Sequence, residues 1–173
     1  TAILLIRGGE RVGLTGTLLP PRRANNQIYR LAEFFSIPNQ GDYGVPEHRA
    51  MIPNARALFL SDFFADLDEV ELALTKAADR GVRGVLMQVL DPSEESFPFQ
   101  GRTIFQSVGG TVQHETLKAG DLRDRYMTRL AERKDRLDRL CRTTGWQFHV
   151  HHTDTSAQSA LLTIYSALDR GTS

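Results

Sequence analysis

Between Ala57 and Pro92 the chain alternates strand and helix patterns in a way that admits few folds. Ala57-Leu58-Phe59-Leu60 is an apolar, strand-like run that ends abruptly in Ser61-Asp62. Helical periodicity follows from about Asp66 to Arg80, and Gly81 stops it. A second apolar run, Gly84 to Leu90, ends in Asp91-Pro92. A strand, a crossover helix and a second strand predict parallel pairing in an α/β sheet. Both runs place oxygen-bearing residues at their carboxyl ends, where open α/β sheets hold their binding sites. Ser61, Asp62, Asp66 and Asp91 are therefore the candidate binding rim.

The flanking sequence extends this pattern. Thr1 to Arg7 reads as the last turns of a helix stopped by Gly8-Gly9, and Arg11 to Thr17 reads as a strand. Ile28, Leu31, Ala32 and Phe35 recur at helical spacing within Asn25 to Ser36. Ile37 to Pro53, rich in Pro and Gly, is a long loop, and Ser93 to Gly101 is a second irregular stretch. Arg102 to Val108 and Thr111 to Thr116 flank Gly109-Gly110 as a β-hairpin. A helix of about 39 Å is expected over Ala119 to Thr144, closed by Gly145. Trp146 to His152 is then a last strand and Ser156 to Asp169 a last helix. A chain that opens inside a helix reads as one domain, residues 1–173, truncated at its N-terminus.

Charge and cysteine usage narrow the class of partner. Lys plus Arg and Asp plus Glu are each 21, so no global field draws the chain to nucleic acid or to an anionic membrane. No apolar run approaches the roughly 20 residues that cross a bilayer, and Ile3-Leu4-Leu5-Ile6 is too short, and lacks the basic flank, to read as a signal peptide. The lone Cys141 rules out an internal disulfide framework and suits a reducing, cytoplasmic setting.

Several segments, in order, carry a resemblance. They are Arg7-Gly8-Gly9-Glu10-Arg11-Val12-Gly13-Leu14, Leu60-Ser61-Asp62-Phe63, Gln88-Val89-Leu90-Asp91-Pro92, Phe97-Pro98-Phe99-Gln100-Gly101-Arg102 and His152-Thr153-Asp154. Together they resemble an uncharacterised bacterial family related to von Willebrand factor A domains, often found beside MoxR-type AAA+ ATPases. The resemblance implies a Rossmann-like, mostly parallel sheet flanked by helices, a protein-interaction role, and an adhesion-type metal site. In such domains that site begins with Asp-x-Ser-x-Ser after the first strand, a sequence absent from these 173 residues. Only Asp62 matches a later position of the site. One Asp with one Ser makes a poor cage for Mg²⁺, which wants octahedral oxygen coordination. No cofactor is therefore expected, and Mg²⁺ or Mn²⁺ only if the upstream segment is present. A sheet lacking its first strand must close the gap, exchange strands or leave edges unpaired, so a homodimer or a rearranged edge is expected.

Each candidate also has a plainer role. Ser61 and Asp62 can satisfy backbone groups where the strand turns, and Asp66 with Glu69 has the form of a capping-box variant. No Gly-x-Ser-x-Gly elbow surrounds Ser61. His149, His151, His152 and Asp154 could hold zinc with a further ligand such as His114, or simply cap a strand end. The Gly8-Gly9 to Gly13 stretch lacks the strand-then-helix order of a dinucleotide loop. On the long helix, Leu122, Tyr126, Leu130, Leu137 and Leu140 form the core stripe, with Cys141 packed as a small hydrophobe. Eight cations and five acids surround it, paired for example as Asp121 with Arg125 and Glu132 with Arg136.

Two functional classes follow. The first is a non-enzymatic protein-interaction module, with an AAA+ ATPase as the partner the resemblance suggests. The second is a hydrolase or metalloenzyme using Ser61, Asp62 and the His149–His152 region. The first is preferred, because no catalytic constellation stands out.

Overall fold

The computed structural model describes residues 1–17, 20–37, 46–47, 51–106, 113–116 and 120–169, with backbone alone for 105–106 and 113–116. It is a mixed α/β structure whose centre is β2 (Arg83–Leu90). β2 pairs in parallel with β1 (Arg56–Ser61) on one side and β5 (Gln147–His152) on the other. From Gly84 to Gln88 every residue of β2 is buried, as expected of a strand covered on both faces. The crossover from β1 to β2 is α3 (Leu67–Asp79), within a residue of the segment read from periodicity.

The two faces are covered unequally. Against one lie α3 and α5 (Gly120–Thr144), enclosing Phe59, Val70, Leu74, Leu86, Leu137 and Cys141 in the larger core cluster. Val70, Ala73, Leu74 and Ala77 fall on one stripe of α3 and are all buried. Phe59 of β1 and Trp146, at the entry to β5, stack across this face with ring centroids 5.4 Å apart. Among the described residues the opposite face carries one helix, α6 (Ala157–Asp169), whose Ile164 and Ala167 pack on Val85 and Met87. Burial pushes the Cys141 thiol up to about 12, with Asp138 adding to the shift, so this residue is a packed hydrophobe.

Peripheral elements complete the chain. α1 (Ala2–Arg7) and α2 (Asn25–Ser36) pack on each other, with Ile6, Gln27 and Leu31 buried. α4 (Pro92–Ser96) follows β2 directly, and β3 (Thr103–Gln106) pairs antiparallel with β4 (Gln113–Thr116). The hairpin expected here thus forms, while its Gly109-Gly110 turn and most of the Ile37–Pro53 loop lie outside the described residues.

Three expectations need correction. Arg11–Thr17 is not a strand of the sheet: Val12 makes only an isolated antiparallel bridge to Arg22. Pro21 comes within 2.9 Å of where a side chain on Gly13 would sit, and prolines cannot donate to a ladder. The side-chain amide of Gln27 donates to the Val12 and Pro20 carbonyls and ties that loop to α2 instead. Second, the Ser93–Gly101 stretch is irregular only from Phe97 on, since its first residues belong to α4. Third, Arg136 does not pair with Glu132 but reaches across to Asp68 and Glu71 of α3.

One glycine fixes the spacing of β1 and β2. A Cβ on Gly84 would lie 1.8 Å from the Ala57 carbonyl oxygen. Gly84→Ala is expected to lower stability by about 1–3 kcal/mol or more, since backbone must move. A urea unfolding curve with a lower midpoint and unchanged slope would show this, and an unchanged midpoint would refute it.

Candidate functional site

The carboxyl ends of three parallel strands bring the predicted rim together. Ser61, Gln88 and Val150 share one register level, so Ser61-Asp62 leaves β1 beside the last residues of β2. Asp62 uses its carboxylate locally: Oδ1 accepts from the Phe64 N–H at 2.9 Å and from the Ser61 hydroxyl at 3.3 Å. Ser61 Oγ in turn accepts from the Phe63 N–H at 3.1 Å. The amide of Gln88, fully buried, donates to the Asp62 carbonyl at 2.8 Å, while its own Oε1 has no hydrogen-bond partner among the described residues.

This turn carries strain that its surroundings hold. Phe63 has φ of 54°, a left-handed conformation unusual for a bulky side chain. Its ring is completely buried in the core, and Arg133 of α5 donates to the Phe63 and Ala65 carbonyls at 2.7 and 2.8 Å. Asp66 then caps α3 by accepting from the Asp68 N–H.

The end of β2 is braced by a denser network. Asp91 and Glu94 form a capping box on α4: Ser93 N–H donates to Asp91 Oδ1 at 2.8 Å, and Asp91 N–H donates to Glu94 at 2.7 Å. The Ser93 hydroxyl also donates to Oδ1, and Thr153, just past β5, donates to Asp91 Oδ2 at 3.0 Å. The Ser93 hydroxyl, then its N–H, then Thr153 hold the Asp91 carboxyl below its usual range. One residue further, Glu95 contacts His152 Nε2 at 2.6 Å with one oxygen and Lys134 of α5 with the other. Burial lowers the Lys134 pKa. Phe97, again left-handed, packs on Phe99 and Tyr126, whose hydroxyl is pushed up to about 12 by burial and by Glu94.

Ser61, Asp62, Asp66 and Asp91 thus lie where the strand pattern placed them, at strand ends and the helix starts that follow. The braces around them were not anticipated. The Asp-Pro-Ser-Glu sequence at Asp91–Glu94 carries the capping-box signature of an acid, a proline at the first helical position and a glutamate third. The contacts of Lys134 and Arg133 had no local signal.

The histidine group is not assembled as a metal centre. His149 and His151 point to the α6 side of the sheet and His152 to the α5 side, as strand alternation requires. His151 Nδ1 lies 3.2 Å from Thr155 Oγ1, and His152 engages Glu95. β2 separates β5 from β1, so Ser61 stands about 10 Å from the level of these histidines across two strand spacings. The side chain of His114 lies outside the described residues. Gln147 and His149 instead line a shallow cleft of about 290 Å³ against Leu162 and Ser166 of α6, away from the rim.

Nor do Ser61 and Asp62 fit a divalent cation. Ser61 Oγ and Asp62 Oδ1 already accept backbone donors, which leaves one free carboxylate oxygen as an anionic ligand. Among the described residues no group of three His, Cys, Asp or Glu could hold a metal ion. No family model, curated protein or solved structure matches this chain.

The depressed Asp91 pKa has a testable consequence. A carboxyl depressed in the folded state contributes stability above its unfolded pKa, near 3.9, and loses it as pH falls through the folded value. Asp91→Asn should remove that part of the acid dependence below pH 4, flattening stability against pH relative to the parent. Parallel curves for the two proteins would show that Asp91 does not titrate as described. Likewise, millimolar Mg²⁺ or Mn²⁺ should leave the melting curve of the 173-residue chain unchanged, and a metal-dependent rise would contradict the poor fit of Asp62.

Proposed function

We propose that this chain is a non-enzymatic binding module that presents the rim of Ser61, Asp62, Asp66 and Asp91 to a protein partner. The reading is supported by how the rim acids are used. Asp62, Asp66 and Asp91 each accept backbone N–H groups of their own turns or helix starts, which fixes loop shape without pairing a nucleophile to a base. Rigid loops held by a parallel sheet suit recognition, because little ordering entropy remains to be lost on binding.

The sequence resemblance to the von Willebrand A-related family adds a Rossmann-like frame and an AAA+ ATPase of the MoxR type as the partner to test first. A cytoplasmic location accords with the buried free Cys141. Among the described residues no helix is long and apolar enough to cross a membrane.

The test is a direct binding titration of the chain against a purified MoxR-type ATPase. Asp91→Arg should weaken the complex at least about tenfold, because it inverts charge at the centre of the rim. Leu72→Lys, on the exposed side of α3, should leave affinity unchanged. Equal affinity for all three proteins, or no binding by the parent, would remove the rim from the proposal.

A further inference from the structure

The two lateral edges of the parallel sheet differ in what they offer a neighbour. Among the described residues β1 and β5 each pair only with β2, so each leaves one row of backbone N–H and C=O groups open. On the α6 side β5 displays Gln147, His149 and His151, a polar row beside the cleft. On the same side β1 displays Arg56, Leu58 and Leu60, between ends that carry opposite charges at Arg56 and Asp62. Leu58 is only partly covered, by the α6 cluster, and Leu60 is 56 % exposed although its register partner Met87 is buried. Leu161 and Tyr165 fall on the flank of α6 away from the β5 cleft, the flank shared by Leu168, which packs in the same cluster as Leu58. Leu58 and Leu60 thus form an apolar strip on the α6 side of β1, at its open edge. It has none of the usual protections, neither a proline, a bulge nor a mid-strand charge.

The sequence of this edge is complementary to itself. If a second copy runs antiparallel with Phe59 opposite Phe59, Leu58 of each copy lies opposite Leu60 of the other. Arg56 of each then stands at the level of Asp62 of the other. Side chains directly opposite in an antiparallel pair share a face, so the four leucines meet on the α6 side and cover one another. Two opposite-charge pairs flank them, whereas parallel pairing in equal register would set Arg56 against Arg56. A two-fold axis through Phe59 generates this arrangement, as isologous association requires.

We infer that β1 is a self-pairing edge, through which two copies of this chain join antiparallel into one continuous six-stranded sheet. This surface lies along the side of β1 and meets the rim at the strand carboxyl ends only at Asp62, and Leu60→Lys, which lies outside the rim, tells a failure of this inference from a failure of the binding reading above.

The test begins with sedimentation equilibrium of the 173-residue chain over micromolar concentrations, where species of one and two times 19.4 kDa should be in exchange. Leu60→Lys places a charge on the exposed edge and should weaken the dimer at least about tenfold without lowering the melting temperature of the monomer. Register is read by oxidative cross-linking. A mixture of Leu58→Cys and Leu60→Cys chains should form disulfide-linked dimers faster than either variant alone, because opposite Cβ atoms come within bridging range. Buried Cys141 supplies no competing thiol. A chain that stays monomeric, a dimer indifferent to Leu60→Lys, or either single-cysteine variant cross-linking as fast as the mixture would each overturn the inference.

Discussion

β2 is buried on both faces and hydrogen-bonded on both edges, and the rest of the fold is arranged around that condition. A strand in this position can carry almost no unpaired polar atom. Its interior is accordingly Val85, Leu86 and Met87, with Gly84 where the backbone of β1 passes closest. The exception is Gln88, whose buried amide binds the Asp62 carbonyl. That bond couples the turn leaving β1 to the most immobile strand of the sheet. Leaving a buried polar group unpaired costs on the order of 1–3 kcal/mol. The interaction therefore both permits a polar residue in the core and positions the first element of the rim.

The same logic extends outward through α5. Arg133 gathers the Phe63 and Ala65 carbonyls at the end of β1, and one residue later Lys134 engages Glu95 at the end of β2. A 25-residue helix thereby spans two loops that are distant in sequence and holds both against the sheet. Exposed ion pairs contribute little on their own. Here the contribution is geometric, because partly buried cations satisfy loop carbonyls and a carboxylate that would otherwise face open solvent. The left-handed Phe63 and Phe97 sit inside these braces, one ring in the core and the other against Tyr126. Backbone strain at each persists because packing over-determines it.

How much of this was legible follows the range of the interaction. The crossover from Arg56 to Leu90 was readable because strand and helix periods, the α3 cap and Gly81 all depend on near neighbours in sequence. The rim followed from the same pattern, since parallel strands must end on one side. Arg11–Thr17 misled because Val12 and Leu14 alternate like a strand, while the prolines that deny it a partner lie in the opposing segment. α4 carried its capping signature in plain view, yet a five-residue helix has no hydrophobic period to announce it. The roles of Lys134, Arg133 and Arg136 depend on which helix faces which loop, and no spacing within α5 encodes that. The histidines cluster in sequence, but strand alternation puts His149 and His151 on one face and His152 on the other.

The unequal cover of the sheet links fold and surface. α3 and α5 together match the width of three strands, and Phe59, Leu86 and Phe148 pack beneath them. α6 alone cannot do the same, because a helix about 10 Å across covers roughly two strands at 4.8 Å spacing. It sits over β2, where Val85 and Met87 are buried beneath it, and among the described residues no second helix covers the margins. At the β5 margin the half-buried side chains on this face are Gln147, His149 and His151, which are polar, so contact with water costs little there. At the β1 margin the side chains are Leu58 and Leu60, and hydration there forfeits burial worth about 25 cal/mol per Å². The carboxyl-end rim is a surface whose acids are engaged by their own turns and helix starts. The β1 margin is one whose own chemistry favours being covered.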